Sequence, residues 1–276
     1  MGRITTTVAL AKASWRVLRA DKELLALPVM SGIATVVVAA SFLLPLFASG
    51  VVTDGGGWIG AAAAAFLYLA LAYITIFFNA ALVHAADERL RGGDPTLGSA
   101  VRGAWARKGR IFGWAVVSAT VSIILRAIEE RAGFLGRIVS GIVGVAWSLV
   151  TFLVVPVLVL EDVGVVEGIK RAGSLFRQTW GENVAARVGF GFLGFLAALP
   201  AVAVVFVGGS IGSTAFGLSV VAAFLWVGVV TVVLSALNGV FQTALYHYAT
   251  GGPIPDDTFG SPAIAEAFVP RSRRGF

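Results

Sequence analysis

Six long apolar segments alternate with short polar stretches along the chain. A helix rises about 1.5 Å per residue, so roughly 20 apolar residues are needed to cross about 30 Å of hydrocarbon. The segments reach that length and lack the polar–apolar alternation of barrel strands, and backbone groups in hydrocarbon must bond within their own segment. The pattern therefore predicts an all-α membrane fold with six transmembrane helices, at residues 24–49, 58–86, 111–130, 134–160, 184–207 and 216–248.

Composition narrows the class of protein. Of the 276 residues, 58% are hydrophobic and 13% are charged, whereas soluble domains carry about 25% charged residues. The mean hydropathy is +0.89. The chain has no cysteine, which excludes thiol catalysis, disulfide bonds and Cys-ligated zinc. These features exclude an ordinary soluble globule and indicate a polytopic membrane protein.

The basic residues are distributed unevenly between the two ends of the predicted spans. Eighteen of the 21 Lys and Arg residues fall in the N-terminal segment, in the second-to-third and fourth-to-fifth connections, or in the C-terminal tail. The other side carries only Arg126, Arg131 and Arg137. The positive-inside rule therefore predicts both termini in the cytoplasm, and the high Ala, Val, Gly and Arg usage favours a prokaryotic plasma membrane. The net charge of +6 then reflects anchoring, so we expect no nucleic-acid partner.

The six spans are predicted to form three helical hairpins in one membrane domain, residues 1–252. A basic cytoplasmic tail, 253–276, follows, and we expect it to be flexible. Each hairpin is preceded by a stretch in which apolar and basic residues occupy different helical faces, as in helices that lie in the interface against anionic headgroups. A solvated connector packed on the bundle is the alternative. The interfacial basic residues are Lys12, Arg16, Arg19, Arg102, Arg107, Lys108, Lys170, Arg171 and Arg177.

The apolar sides of these stretches are also predicted. In the second stretch Leu97, Val101 and Trp105 form the apolar stripe. In the third, a stripe from Val166 to Trp180 belongs to a surface helix separate from the fifth span. We therefore expect anionic membrane lipids as partners, and a membrane-protein partner or a homo-oligomer stays open.

Two segments at the ends of spans two and six are similar. Residues 78–86 (FNAALVHAA) and 241–249 (FQTALYHYA) share five of nine positions, and Asn79 corresponds to Gln242. Amides in hydrocarbon are costly unless paired. Asn79, Asn238 and Gln242 are therefore predicted either to hold the two helices together by hydrogen bonds or to line a path for a solute or ion.

A short acidic turn after the second span offers metal-ligand types. His84, Asp87 and Glu88 share one helical face, and His247 follows the sixth span. With His247 nearby, this set could hold a metal ion. A solvated cap is the more common role of such a turn, so no metal or other cofactor is predicted.

The motifs of common enzymes are absent. The chain contains no G-x-S-x-G, H-E-x-x-H or G-x-x-x-x-G-K-[ST] sequence, and no dinucleotide fingerprint. The segments between the spans are too short for an independent core. We therefore expect no catalytic residues and no enzymatic activity.

Several runs of residues together resemble the signature of a known family. They are 155–162 (VPVLVLED), 170–176 (KRAGSLF), 179–183 (TWGEN), 78–82 (FNAAL) and 245–251 (LYHYATG). The family is a group of uncharacterised prokaryotic six-span integral membrane proteins, labelled as a domain of unknown function. The resemblance extends from about Ala13 to Gly252. It implies a multi-pass membrane protein and supplies no catalytic or binding residues.

Two functions are consistent with these features. The first is a non-enzymatic membrane protein that organises lipid or partner proteins at the cytoplasmic face through its basic helices. The alternative is a small transporter or channel for a solute, ion or lipid, with a polar site near Asn79, Asn238 and Gln242.

Overall fold

The described part of the chain is helical. The computed structural model describes residues 14–15, 18–19, 21, 23–49, 57–131 and 133–251, with the backbone alone for 133–135, 178–188 and 190. These residues form eight α-helices and one 3-10 turn and no strand. The elements are α1 (Glu23–Ala48), α2 (Gly57–Leu90), α3 (Leu97–Ala106), α4 (Lys108–Arg131), α5 (Gly133–Val150), the 3-10 turn (Thr151–Leu153), α6 (Val154–Leu160), α7 (Val165–Ile211) and α8 (Ser213–Thr250).

Six helical segments are long and apolar enough to cross a membrane, which confirms the predicted all-α fold and gives six candidate spans. They are Glu23–Ala48, Gly57–Leu90, Lys108–Arg131, Gly136–Leu160, Gly191–Ile211 and Ser213–Thr250. The predicted tail, 253–276, lies outside the described residues, as do Lys12 and Arg16 in the first basic stretch.

The fifth span differs from its prediction because no separate surface helix precedes it. Helix α7 runs for 47 residues from Val165 to Ile211 and includes the whole predicted stripe. Between 178 and 190 the sequence has no proline, and its glycines, at 181 and 189, stand singly. An isolated glycine weakens a helix by about 1 kcal/mol and does not end it. Nothing local therefore separates the basic segment from the span.

The fourth span is interrupted at Pro156. A proline inside a helix has no N–H for the carbonyl four residues earlier, which here is the carbonyl of Phe152. The chain forms a 3-10 turn at Thr151–Leu153 before α6 begins. The carbonyl of Phe152 therefore receives no helical hydrogen bond from residue 156, and Phe152 lies in the interior of the bundle, where it is 5% exposed.

The buried core lies at one end of the bundle. We call this the basic end; it contains the end of α2, the start of α4, the α6–α7 connection and the end of α8. Leu82, Leu90, Leu158 and Leu245 are among its buried side chains. Toward the opposite end the helices expose large apolar side chains, which we call the apolar belt. It covers 29–47 of α1, 58–68 of α2, 112–128 of α4, 138–145 of α5, 192–211 of α7 and 216–229 of α8.

Successive spans pack beside each other along the belt. The rings of Phe42 on α1 and Phe66 on α2 lie 5.6 Å apart. Helices α7 and α8 are joined by Gly212 alone, whose φ of +152° suits glycine. The indole of Trp226 donates to the carbonyl of Ala197 at 2.7 Å across this pair. At the end of the bundle opposite the basic end, a single residue therefore connects α7 to α8.

Candidate functional site

The two similar segments meet in the core. Helices α2 and α8 lie parallel, and Nδ2 of Asn79 donates to Oε1 of Gln242 at 3.4 Å. These residues occupy corresponding positions in the nine-residue match. Gly239 is close to Leu82, with no room for a Cβ between them. The similarity therefore marks a parallel helix pair in which one pair of equivalent residues, Asn79 and Gln242, is in contact.

Gln242 also compensates for Pro156. Its Nε2 donates to the carbonyl of Phe152, the acceptor that Pro156 leaves without its helical donor. Gln242 is 4% exposed. A buried carbonyl without a donor costs about 1–3 kcal/mol, so the amide stabilises the break in the fourth span. One side chain thus links α8 to α2 and to the 3-10 turn.

A second tie lies closer to the basic end. Nε2 of His247 is 2.6 Å from Oδ1 of Asp87, and both residues are buried. Nε of Arg91 donates to the same carboxylate at 3.1 Å from the next helical turn. The carboxylate is thus bound by an imidazole from α8 and a guanidinium from its own helix, which offsets the cost of burying it.

A third tie connects α8 with the turn after α6. The hydroxyl of Tyr246 donates to Oε1 of Glu161 at 3.0 Å. Nε of Arg171 on α7 donates to the same oxygen at 3.1 Å. Because Tyr246 and His247 are adjacent, consecutive side chains of α8 bind two different neighbours. An ion pair of Glu161 with Lys170 or Arg171 is a prediction that the sequence also allows, and Arg171 is the partner in the structure. Sequence analysis did not single out Arg91, although its i, i+4 spacing from Asp87 could have indicated the pair. It also missed Tyr246, whose partner lies 85 residues away in the chain.

The four metal candidates do not form one group. Asp87 contacts His247, but the ring of His84 packs directly over Gly103 of α3. Glu88 accepts a hydrogen bond from the hydroxyl of Ser99 at 2.8 Å. In the part of the chain that the structure describes, no three His, Asp or Glu side chains are grouped to hold a metal ion. His84 and Glu88 instead attach α3 to α2.

Asn238 is separate from the other two amides. Its side chain is exposed, and it makes no hydrogen bond to a described residue. The three amides that the sequence grouped together are therefore one hydrogen-bonded pair and one outward-facing residue.

The polar ties lie toward the basic-end termini of the candidate spans Gly57–Leu90 and Ser213–Thr250 rather than in their middle. About 20 residues cross the hydrocarbon, and counted from Gly57 and Ser213 such spans end near Phe77 and Val233. Asn79 and Gln242 come after these points. The last exposed large apolar residues of the belt, Tyr68 on α2 and Val229 on α8, also precede Asn79 and Gln242.

Several basic residues at the basic end are neutralised by ion pairs. Arg89 lies 3.9 Å from Asp21 and 3.6 Å from Asp94, and Arg110 pairs with Asp162. Burial raises the pKa of Asp21, and the guanidinium of Arg89 opposes this rise. Arg91 and Arg171 are also in ion pairs. These four arginines therefore stabilise the folded structure through their carboxylate partners.

Other basic residues have no described acidic partner, and they form what we call the basic surface. They are Arg19, Arg102, Arg107, Lys108, Lys170 and Arg177. Two of them lie over exposed indoles: Nζ of Lys108 is 4.5 Å from the ring centroid of Trp105, and Arg19 is 5.7 Å from that of Trp15. The indoles are 58% and 41% exposed. Tryptophan and basic residues with this exposure are typical of the headgroup level of a membrane.

The buried face of α3 includes only part of the predicted stripe, because Leu97 and Val101 pack against the core but Trp105 does not. Its small residues Ala100, Gly103 and Ala104 face the core, and Trp105 points outward. The close approach of His84 to Gly103 requires small residues on the buried side. Trp105 is therefore free to lie beside Lys108.

Six long apolar helices with a packed basic end define a multi-pass helical membrane protein. The family of unknown function DUF6159 matches residues 59–255, and the chain belongs to this family. Comparisons with curated proteins and with solved structures give no match.

Proposed function

We propose that this protein is a non-enzymatic multi-pass protein of a prokaryotic plasma membrane, with both termini in the cytoplasm. Its basic end binds anionic lipid headgroups and organises lipid, or proteins that require such lipid, at the cytoplasmic face. Three hairpins, each led by a basic amphipathic segment, are part of this proposal.

The observation that carries the proposal is the basic surface. Its cations are free of described acidic partners, and two of them lie over outward-facing indoles. Each basic side chain near an anionic membrane surface contributes about 1 kcal/mol to attraction. Six such residues at one end of the bundle favour anionic over neutral headgroups.

The ties in the core support a structural role for the buried polar groups. Gln242 has partners on both sides, and Asp87 is bound by two donors. A groove between α2 and α4 is not lined by any of these groups. The alternative, a transporter or channel with a polar site at Asn79, Asn238 and Gln242, therefore has less support.

The test compares two variants that each remove three positive charges. One carries Arg102→Gln, Lys170→Gln and Arg177→Gln at the basic end. The control carries Arg126→Gln, Arg131→Gln and Arg137→Gln at the opposite end. Each protein is purified gently from its membrane, and mass spectrometry measures the ratio of phosphatidylglycerol to phosphatidylethanolamine that remains bound.

We expect the basic-end variant to lose most of its enrichment in phosphatidylglycerol and the control to keep it. Equal ratios in both variants and in the unmodified protein would contradict the proposal. A bound solute that disappears when Gln242 is replaced would instead favour the transporter alternative.

A further inference from the structure

A groove of about 500 Å³ runs between α2 and the first turns of α4. Phe66, Leu69, Tyr73 and Phe112 line it with apolar surface, and Lys108 also lines it. The volume is within the range of about 300–1,000 Å³ that is usual for small-molecule sites. Phe66 is 61% exposed and Phe112 is 50% exposed, so the groove opens outward beside the apolar belt.

The groove combines an apolar channel with an available cation. Lys108 is the first residue of α4, so it lies at the basic end of that span. It has no described acidic partner, and its ammonium group is held over Trp105. The hydroxyl of Tyr73 makes no hydrogen bond to a described residue. A molecule that fits has an apolar chain along the helices and a negative group next to Lys108.

The surrounding charges favour an anion over a neutral headgroup. Arg107 precedes Lys108, and its Nε is buried without a hydrogen-bond partner among the described residues. Arg110, one turn further, is paired with Asp162 and adds no net charge to the groove. The positive charge is therefore concentrated at residues 107 and 108, at the start of α4.

We propose that this groove binds one anionic phospholipid, with an acyl chain along Phe66, Leu69 and Phe112 and its phosphate bound by Lys108. The proposal rests on the proposed function, because it assigns one defined lipid site within the basic end. It differs from general attraction to the basic surface because a single bound molecule needs both the cation and the apolar space.

Two substitutions test these requirements separately. Lys108→Gln removes the cation, and Lys108→Arg and Lys170→Gln are its controls. Gly109→Leu fills the groove and leaves the charge unchanged; a Cβ on Gly109 has no atom within 4 Å, so the helix tolerates it. Gly141→Leu is the matched control, since Gly141 on α5 is equally open but far from the groove.

The full-length protein is placed in phosphatidylcholine nanodiscs that contain a small fraction of phosphatidylglycerol with a photoreactive diazirine on its acyl chain. After illumination and proteolysis, mass spectrometry locates the labelled peptides. We expect labels within 66–73 and 108–112. Lys108→Gln should lower their yield roughly fivefold, which corresponds to ~1 kcal/mol for one basic residue near an anionic surface. Gly109→Leu should abolish them, and all three controls should keep them.

Equal labelling of these peptides by a phosphatidylcholine probe would overturn the proposal, because the groove would then hold any annular lipid. Unchanged labelling in Lys108→Gln and Gly109→Leu would overturn it as well. If these variants behave normally while the basic-end triple variant, which retains Lys108, loses its phosphatidylglycerol, the groove site is wrong and the proposed function stands. If neither set changes lipid binding, both are wrong.

Discussion

Nε2 of His247 lies 2.6 Å from Oδ1 of Asp87, and this contact joins the last turns of α8 and α2. His247 occupies the same position in the second similar segment as His84 does in the first, and His247 has a buried carboxylate partner. Its counterpart His84 packs on Gly103 instead. Since a half-satisfied buried polar group is costly, the tie should matter more for stability than for chemistry.

Replacing His247 with Ala should lower the free energy of unfolding by about 2–4 kcal/mol, because Asp87 would lose one of its two partners in a buried setting. Thermal unfolding in detergent or nanodiscs measures the change. The control is Asp94→Asn. Its side chain is 94% exposed although it lies 3.6 Å from Arg89, so the effect should stay below about 0.5 kcal/mol. Similar losses in both variants would contradict a structural role for the buried pair.

Gln242→Ala should destabilise the protein by about 2 kcal/mol, because the carbonyl of Phe152 and the amide of Asn79 would both lose a partner. Asn238→Ala should have almost no effect, since Asn238 is exposed. Comparing the two variants therefore distinguishes the roles of two amides that the sequence analysis placed in one group. Chemical or thermal unfolding of the two variants side by side checks this, and a larger loss for Asn238→Ala would refute the assigned roles.

Gly103→Ala should weaken the attachment of α3, because the added Cβ would occupy the position of the His84 ring. Overpacking of this kind costs about 1–3 kcal/mol. Gly228→Ala is the matched control, since a Cβ there meets no atom within 4 Å. Adding His84→Ala to Gly103→Ala should restore part of the loss. Protease sensitivity of the segment 91–107, together with unfolding curves, measures the effect; additive losses in the double variant would exclude this contact as the cause.

A reporter inserted after Ser213 should be active on the extracytoplasmic side, and one inserted after Gly251 should be active in the cytoplasm. This follows from the excess of Lys and Arg at the basic end and the positive-inside rule. Paired phosphatase and fluorescent-protein fusions give complementary readings. A cytoplasmic signal after Ser213 would reverse the proposed topology and with it the location of the basic surface.

Local patterns were sufficient for some features of the fold. The number of spans follows from apolar length, because a bilayer requires about 20 apolar residues whatever the tertiary contacts are. The 3-10 turn before Pro156 did not follow from the proline alone, because Pro45 and Pro200 lie inside continuous helices. The sequence analysis also did not predict that the third basic segment and the fifth span form one continuous helix, α7. The spacing of apolar and basic residues shows which face of a helix is apolar, but it does not show where the helix ends.

The sequence by itself therefore determined the class of protein, the six spans and the uneven distribution of charge, all of which depend on composition and short-range spacing. Only the tertiary structure decided which polar residues are partners. Asn79 and Gln242 are 163 positions apart, and Asp87 could have joined His84 or Glu88 as well as His247. Likewise, only the packing of α3 decided that Ala100, Gly103 and Ala104 face inward and that Trp105 remains outside beside Lys108. Polar pairing and the orientation of α3 both depend on which helix faces are in contact. The pattern of residues along the chain is compatible with several ways of packing the helices, so it could not decide between them.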